Sequence, residues 1–308
     1  MIPFNGLVLF GCLVICTETI SAQSDYKKPF QTYFENELIY VLIEREKNDT
    51  LVFYTDTGGK NYLYKAGLKK LNLKKSKENL WDDGLESIFE ISNVPAPAIK
   101  EFYFIRDRTA SEDGMLGREW FAHKAWLFDY KNQVLSHVES DFELAKPSEA
   151  VRLSFKKNSL GEHTDHLPRI EVVIDSDTLS FLFDTGGQAY LSEESQAYFN
   201  CPEKVATSFI NSSTFEKWRN AHPDWKVIEG GDRSFGSKSD LIIVPQIKIG
   251  SRAAGPVAFA KREDFNFEIM SERFMDSEIV GAIGGNALSQ LESFVLDYSN
   301  ESLSFINR

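Results

Sequence analysis

The apolar residues of this chain come in short runs broken by turn residues, and two of those runs end on the same four residues. Glu37 to Ile43 (ELIYVLI) and Thr50 to Tyr54 (TLVFY) are rich in β-branched and aromatic side chains, which fit a pleated, half-buried surface. Glu46-Lys47-Asn48-Asp49 between them is turn chemistry. The pattern predicts a hairpin whose second strand runs into Asp56-Thr57-Gly58-Gly59. The same arrangement returns later. Arg169 to Ile174 predicts a strand, Asp175-Ser176-Asp177 a turn, and Leu179 to Phe183 a strand that enters Asp184-Thr185-Gly186-Gly187.

The match extends beyond the tetrad. Asp49 to Leu63 reads DTLVFYTDTGGKNYL and Asp177 to Leu191 reads DTLSFLFDTGGQAYL, ten of fifteen positions identical at a fixed offset of 128. Chance gives about one such identity, so the chain carries an internal repeat. A short helical stretch is expected after each copy, around Tyr64 to Leu71 and Ser192 to Phe199. Each half then closes on a glycine motif and an Asp-Tyr strand. These are Gly114-Met115-Leu116-Gly117 with Asp129-Tyr130-Lys131-Asn132, and Gly281-Ala282-Ile283-Gly284 with Asp297-Tyr298-Ser299-Asn300. Asp56 to Gly114 spans 58 residues and Asp184 to Gly281 spans 97. An insertion is therefore expected in the second half, around Cys201 to Trp225. Glu139 to Glu149, polar and containing Pro147, reads as the linker.

Composition narrows the setting. With 308 residues, 42% of them hydrophobic, the chain has core material for about two domains. A net charge of −12 argues against nucleic acid and anionic membrane as partners. Gly6 to Cys16 is an apolar run too short to span a bilayer. It has the length of a secretory signal's apolar region, with Ser21-Ala22 as a cleavage site, and this reading is favoured over a lipid anchor at Cys12. The expected organisation is a signal over 1–22, a polar lead-in over 23–36, and two units over 37–147 and 148–308. Beyond the signal only Cys201 remains, so no intrachain disulfide is expected. An exported chain without disulfides fits a bacterial periplasm or surface, and Cys201 reads as an inert thiol. Glu162-His163-Thr164-Asp165-His166 reads as a solvated loop; no metal or cofactor is expected.

The repeat gives each half one carboxylate on the same strand-then-glycine turn. Two carboxylates brought together across a two-fold axis share one proton. One can then act as base on a water while the protonated partner polarises a carbonyl. Gly58 and Gly186 allow a sharp turn and close approach, and the hydroxyls of Thr57 and Thr185 can bond across the interface.

On these residues the chain resembles the pepsin and retropepsin superfamily of aspartic proteases, as two fused retropepsin-type lobes. The resemblance implies an all-β, two-lobed acid-protease β-barrel fold with pseudo-two-fold symmetry and a few short helices. It makes Asp56 and Asp184 catalytic, with Thr57, Gly58, Thr185 and Gly186 supporting the dyad. It also implies a hairpin flap, best matched by Gly230 and Gly231 or, in the first half, Gly84. The partner would be a peptide or protein substrate, and the chain a monomer holding both lobes. Where the family has Ser or Ala after Asp-Thr-Gly, this chain has Gly59 and Gly187, which loosens each loop. The alternative is a catalytically silent peptide-binding or inhibitor-like protein of the same fold.

Overall fold

A computed structural model describes residues 30–46, 49–71, 77–81, 84–89, 102–104, 111–138 and 150–306. The expected signal, Cys12, the first half of the lead-in and the expected linker lie outside these residues.

Eight strands form the first sheet: β1 (Thr32–Glu35), β2 (Leu38–Glu46), β3 (Asp49–Thr55), β4 (Tyr62–Leu63), β5 (Lys77–Trp81), β6 (Gly84–Phe89), β7 (Phe102–Phe104) and β8 (Gly114–Leu116). Helix α1 (Lys65–Leu71) follows β4. The predicted hairpin is β2–β3, with Val41 opposite Phe53. β1 was not expected: part of the polar lead-in pairs along β2, Thr32 opposite Val41. It lies at the sheet edge and alternates half-buried with exposed over only four residues, too short a run to establish a strand period from sequence.

A five-stranded sheet mixes both ends of the chain. It contains β9 (Ala125–Asp129), β10 (Val134–Val138) and β11 (Val151–Arg152), with α2 (Arg118–Phe121) just before β9. The second large sheet takes β12 (Arg169–Ile174) and β13 (Asp177–Phe183). A separate pair, β14 (Gln188–Tyr190) and β15 (Lys204–Ala206), flanks α3 (Glu193–Phe199). Then come β16 (Ser208–Asn211), α4 (Ser212–Ala221), β17 (Val227–Asp232), β18 (Ser239–Val244), β19 (Ile247–Ile249), β20 (Arg252–Ala254) and β21 (Val257–Arg262). The chain ends with α5 (Asp264–Phe274), β22 (Gly281–Ile283), α6 (Gly285–Leu288), β23 (Ser293–Asp297) and β24 (Ser302–Phe305).

The two large sheets share one order. The first contains β2-β3-β8-β4-β7-β6-β5 and the second β12-β13-β22-β16-β21-β18-β17. In both, the strand entering the tetrad runs parallel to the glycine-motif strand: Phe53 is level with Gly114 and Phe181 with Gly281. The protein is mostly β-sheet with a few short helices. Both sheets are open strand orders among the described residues, so the expected closed barrels are not seen there.

The shared order relocates the insertion. Tyr62 on β4 pairs with Met115, as Phe209 on β16 pairs with Ala282. Tyr62 and Phe209 are 147 positions apart, 19 more than the offset of 128 between the tetrads. The first extra piece of the second half is therefore β14-α3-β15, ahead of Cys201 to Trp225 for most of its length. It follows that α1 corresponds to α4, each the helix after the strand beside the glycine motif. Helix α3 forms where expected, capped by Ser192, whose side chain accepts from the Ser195 N–H, but it is not the partner of α1.

Between the large sheets, β9 and β23 pair antiparallel with Leu127 opposite Val295. Those residues are 168 apart, the offset of the two Asp-Tyr motifs, so the pseudo-two-fold axis passes through this pair. Each Asp-Tyr-x-Asn run makes the same turn: Asp129 accepts from the Asn132 N–H at 3.0 Å and Asp297 from the Asn300 N–H at 2.9 Å. One buried cluster joins the halves, including Phe53, Trp126 and Phe128 with Phe183 and Phe294. Phe128 stacks on Phe294 at 5.2 Å. Burying each such side chain contributes about 1.5–3 kcal/mol.

In the expected solvated loop Glu162 and Thr164 are exposed, while its two histidines pack at the junction of the halves. His166 lies 4.6 Å from His123 and 5.8 Å from His163, ring to ring. His163 stacks on Phe155 and meets Glu301 at 3.0 Å. Burial, then the facing His123, His163 and Arg118, push the half-buried His166 down to about 4, against the pull of Asp165. The folded chain thus prefers the neutral ring, a preference present above pH ~6.5 and lost as pH falls through 6.5 towards 4. Allowing for partial exposure, about 1–2 kcal/mol should disappear over that window. Thermal melts at stepped pH should show wild type losing more stability than His166→Gln between pH ~6.5 and ~4; parallel curves would refute this.

Candidate functional site

β3 and β13 deliver the two tetrads to one place. The Asp56 N–H donates to the Leu116 carbonyl and the Asp184 N–H to that of Ile283, each at 2.9 Å. Each loop is thereby fixed to its own glycine-motif strand. Within each loop the carboxylate is held by the glycine two residues on: Gly58 N–H donates to Asp56 Oδ1 and Gly186 N–H to Asp184 Oδ1, both at 2.9 Å.

The threonines interlock the loops. Both are fully buried. Thr57 N–H donates to Thr185 Oγ1 at 3.2 Å and Thr185 N–H to Thr57 Oγ1 at 3.0 Å. The Thr57 hydroxyl donates to the Phe183 carbonyl at 2.7 Å. Buried N–H and hydroxyl groups are costly when unpaired, so these bonds hold the loops in one relative position.

The glycines make room for the opposite aspartate. A Cβ on Gly186 would lie 2.3 Å from Asp56 Cγ, and one on Gly58 2.9 Å from Asp184 Cγ. The fourth tetrad residue is also confined. A Cβ on Gly187 would lie 2.6 Å from the Thr207 carbonyl oxygen, and one on Gly59 2.4 Å from Met115 Cε and 2.7 Å from Asp56 Oδ2. Gly59 and Gly187 do not loosen the loops as expected: close packing leaves no space there for Ser or Ala without displacing neighbours.

The two carboxyls act on each other. Both aspartates are half-buried, so water reaches them. Burial first, then the negative charge of Asp56 and a hydrogen bond with it, raise the Asp184 carboxyl well above its ordinary range. The N–H groups of Gly186 and Gly187 pull the other way. A raised carboxyl beside a second carboxylate is the one-proton arrangement that water activation requires.

Further residues at the site carry no motif in the sequence. The buried Tyr54 donates its hydroxyl to the Gly186 carbonyl, across the two halves. Tyr54 is packed with Tyr40, Tyr64 and Met115, and Lys204 lies 5.8 Å from its ring. The strand-like composition around Tyr54 marks it only as β-prone.

The flap candidates divide. Gly84 opens β6 opposite Trp81, the end of β5. Gly230 and Gly231 lie on β17, tied to the inserted segment. The Gly231 carbonyl accepts from Ser192 N–H and Ser195 Oγ, both at 2.9 Å. Buried Asp232 accepts from Arg262 Nη2 at 2.6 Å and from Ser234 N–H at 2.9 Å. That hairpin is fastened at its glycines. Cys201 lines a cavity of about 230 Å³ with Glu37, Leu191 and Phe199; neither aspartate lines it. Burial and the Glu37 charge push the Cys201 thiol up, which suits an inert thiol.

No helix among the described residues is long and apolar enough to cross a membrane. No family model matches the chain, and no curated protein matches it. Among solved structures, basic 7S globulin from soybean is a distant neighbour with 8% identity and a TM-score of 0.41, over 89% of this chain and 92% of that one.

Proposed function

We propose that the chain is an exported aspartic endopeptidase of the pepsin and retropepsin type, each half supplying one aspartate. The interlocked pair with one raised carboxyl carries this reading. Asp56, ionised, takes a proton from a bound water. Asp184, protonated, donates a hydrogen bond to the scissile carbonyl. The hydroxide adds to the carbonyl carbon, and the tetrahedral intermediate collapses as the leaving amine takes a proton from the pair. No covalent enzyme intermediate and no metal are needed. Of the two flap candidates the β5–β6 pair is the one left to cover the substrate, since the β17–β18 hairpin is pinned.

The test is cleavage of a broad peptide library between about pH 3 and 7 by wild type and Asp184→Asn. Cleavage by wild type that the variant loses supports the reading. Cleavage that survives the substitution removes the dyad from the mechanism. Peptide binding with no cleavage by either protein favours a silent binding module.

A further inference from the structure

The two active-site loops are not held alike. Tyr54 lies two residues before Asp56, fully buried, and its hydroxyl donates to the Gly186 carbonyl in the other half. The position 128 residues on is Leu182, which can make no such bond. Gly186 is the residue whose N–H donates to Asp184 Oδ1. Tyr54 therefore grips one side of a residue whose other side grips the carboxylate.

Behind Tyr54 stands a second contact across the halves. Lys204 lies on β15, in the piece that the second half has and the first lacks. Its ammonium donates to Glu112 Oε1 at 2.8 Å and to the Tyr40 hydroxyl at 3.2 Å. It sits 5.6 Å and 5.8 Å from the ring centroids of Tyr40 and Tyr54, within range of a cation–π attraction. Glu112 is itself buried, so its charge requires that partner. The Tyr40 ring is 5.6 Å from that of Tyr54.

We propose that Tyr54 is the positioning residue of the second active-site loop, and that Lys204, paired with Glu112, fixes Tyr54 from across the interface. This rests on reading Asp56 and Asp184 as the dyad. Tyr54 acts through Gly186 and not on substrate. Removing its hydroxyl strands a buried carbonyl, and the planar peptide that joins Gly186 to Gly187 turns to find another donor. The Gly187 N–H of that peptide, which donates to the Asp184 carboxyl, then leaves it, and the carboxyl loses a stabilising donor and rises further. The groups facing Tyr54 are Asp56, Asp184, Tyr40 and Tyr64, with Lys204 behind. Tyr130 faces Asp184 and Tyr298 faces Asp56. All are unchanged in the variants below except those named.

The experiment reads the carboxyls directly. Protein labelled with ¹³C at the aspartate carboxyls is titrated by NMR, with Asp56→Asn and Asp184→Asn assigning the pair. In Tyr54→Phe, which keeps the ring, the higher apparent pKa of the pair should rise by about half a unit or more. Where peptide is cleaved, the alkaline limb of the rate profile should move with it, and kcat should fall about tenfold at nearly constant KM. Lys204→Met should give a smaller rise, Lys204→Arg should restore the wild-type curve, and adding Lys204→Met to Tyr54→Phe should add nothing. A folded Tyr54→Phe whose titration overlays wild type overturns the proposal, whatever its melting temperature. If Tyr54→Phe does not fold, an unmoved pair in folded Lys204→Met overturns it instead. A shifted titration in a protein that cleaves nothing leaves the positioning role standing and removes the protease reading.

Discussion

Gly186→Ala should reduce peptide cleavage by at least about 100-fold and cost about 1–3 kcal/mol of stability. The added methyl would sit 2.3 Å from Asp56 Cγ and 2.4 Å from Asp56 Cβ. Asp56 cannot swing clear cheaply, because its Oδ1 accepts from Gly58 N–H and its backbone N–H is bound to Leu116. The loops must separate, and the threonine bonds between them, at 3.0–3.2 Å, lengthen with them. Catalysis by paired groups is steep in geometry, so a shift near 1 Å already costs about two orders of magnitude. Steady-state cleavage and urea denaturation check both halves of the expectation. A Gly186→Ala protein as active and as stable as wild type would mean that the loops are not packed against each other in solution.

Asp184→Asn separates function from stability. Cleavage should fall by roughly 10³-fold or more, because an amide cannot supply the shared proton. Near neutral pH the same variant should unfold at a higher temperature than wild type. The sign follows from the raised carboxyl. A group whose pKa is higher in the folded state contributes stability below its unfolded value, and loses it as pH rises through the folded value. At pH 7 wild type bears that loss, from burial and from the charge of Asp56; the neutral amide does not. At about pH 3, where the carboxyl is protonated folded or unfolded, the two proteins should melt alike. Calorimetry at both pH values decides it. A variant less stable than wild type at pH 7 would show that the carboxylates do not confront each other.

The strands entering the tetrads, the glycine motifs and the paired aspartates were legible because each is a local pattern repeated at a near-constant offset. What was misassigned depended on partners distant in sequence. Tyr64–Leu71 and Ser192–Phe199 both follow a tetrad and both form helices, yet only pairing to the glycine-motif strand reveals that α1 answers to α4. No local periodicity encodes that register. β1 was hard to see because it has only four residues, too few to establish an alternation. The roles of Tyr54 and Lys204 were hidden for the same reason: the atoms they touch lie 132 and 92 residues away. At Gly59 and Gly187 sequence suggests loop freedom, but the constraint is the space around them.

The axis through Leu127 and Val295 bears on how the chain can assemble. Its strand β9 is bordered on one side by β10 and on the other by β23, and Asp129 meets Ser293, 164 positions later in the chain. Until that late segment is synthesised, β9 presents an open row of backbone donors and acceptors, a template for any extended strand. Because Leu127 lies on the axis, a second copy of β9 would fit that row in the same register. Truncation before β23 should therefore convert an internal seam into a surface where two chains meet, and the complete chain closes it against itself.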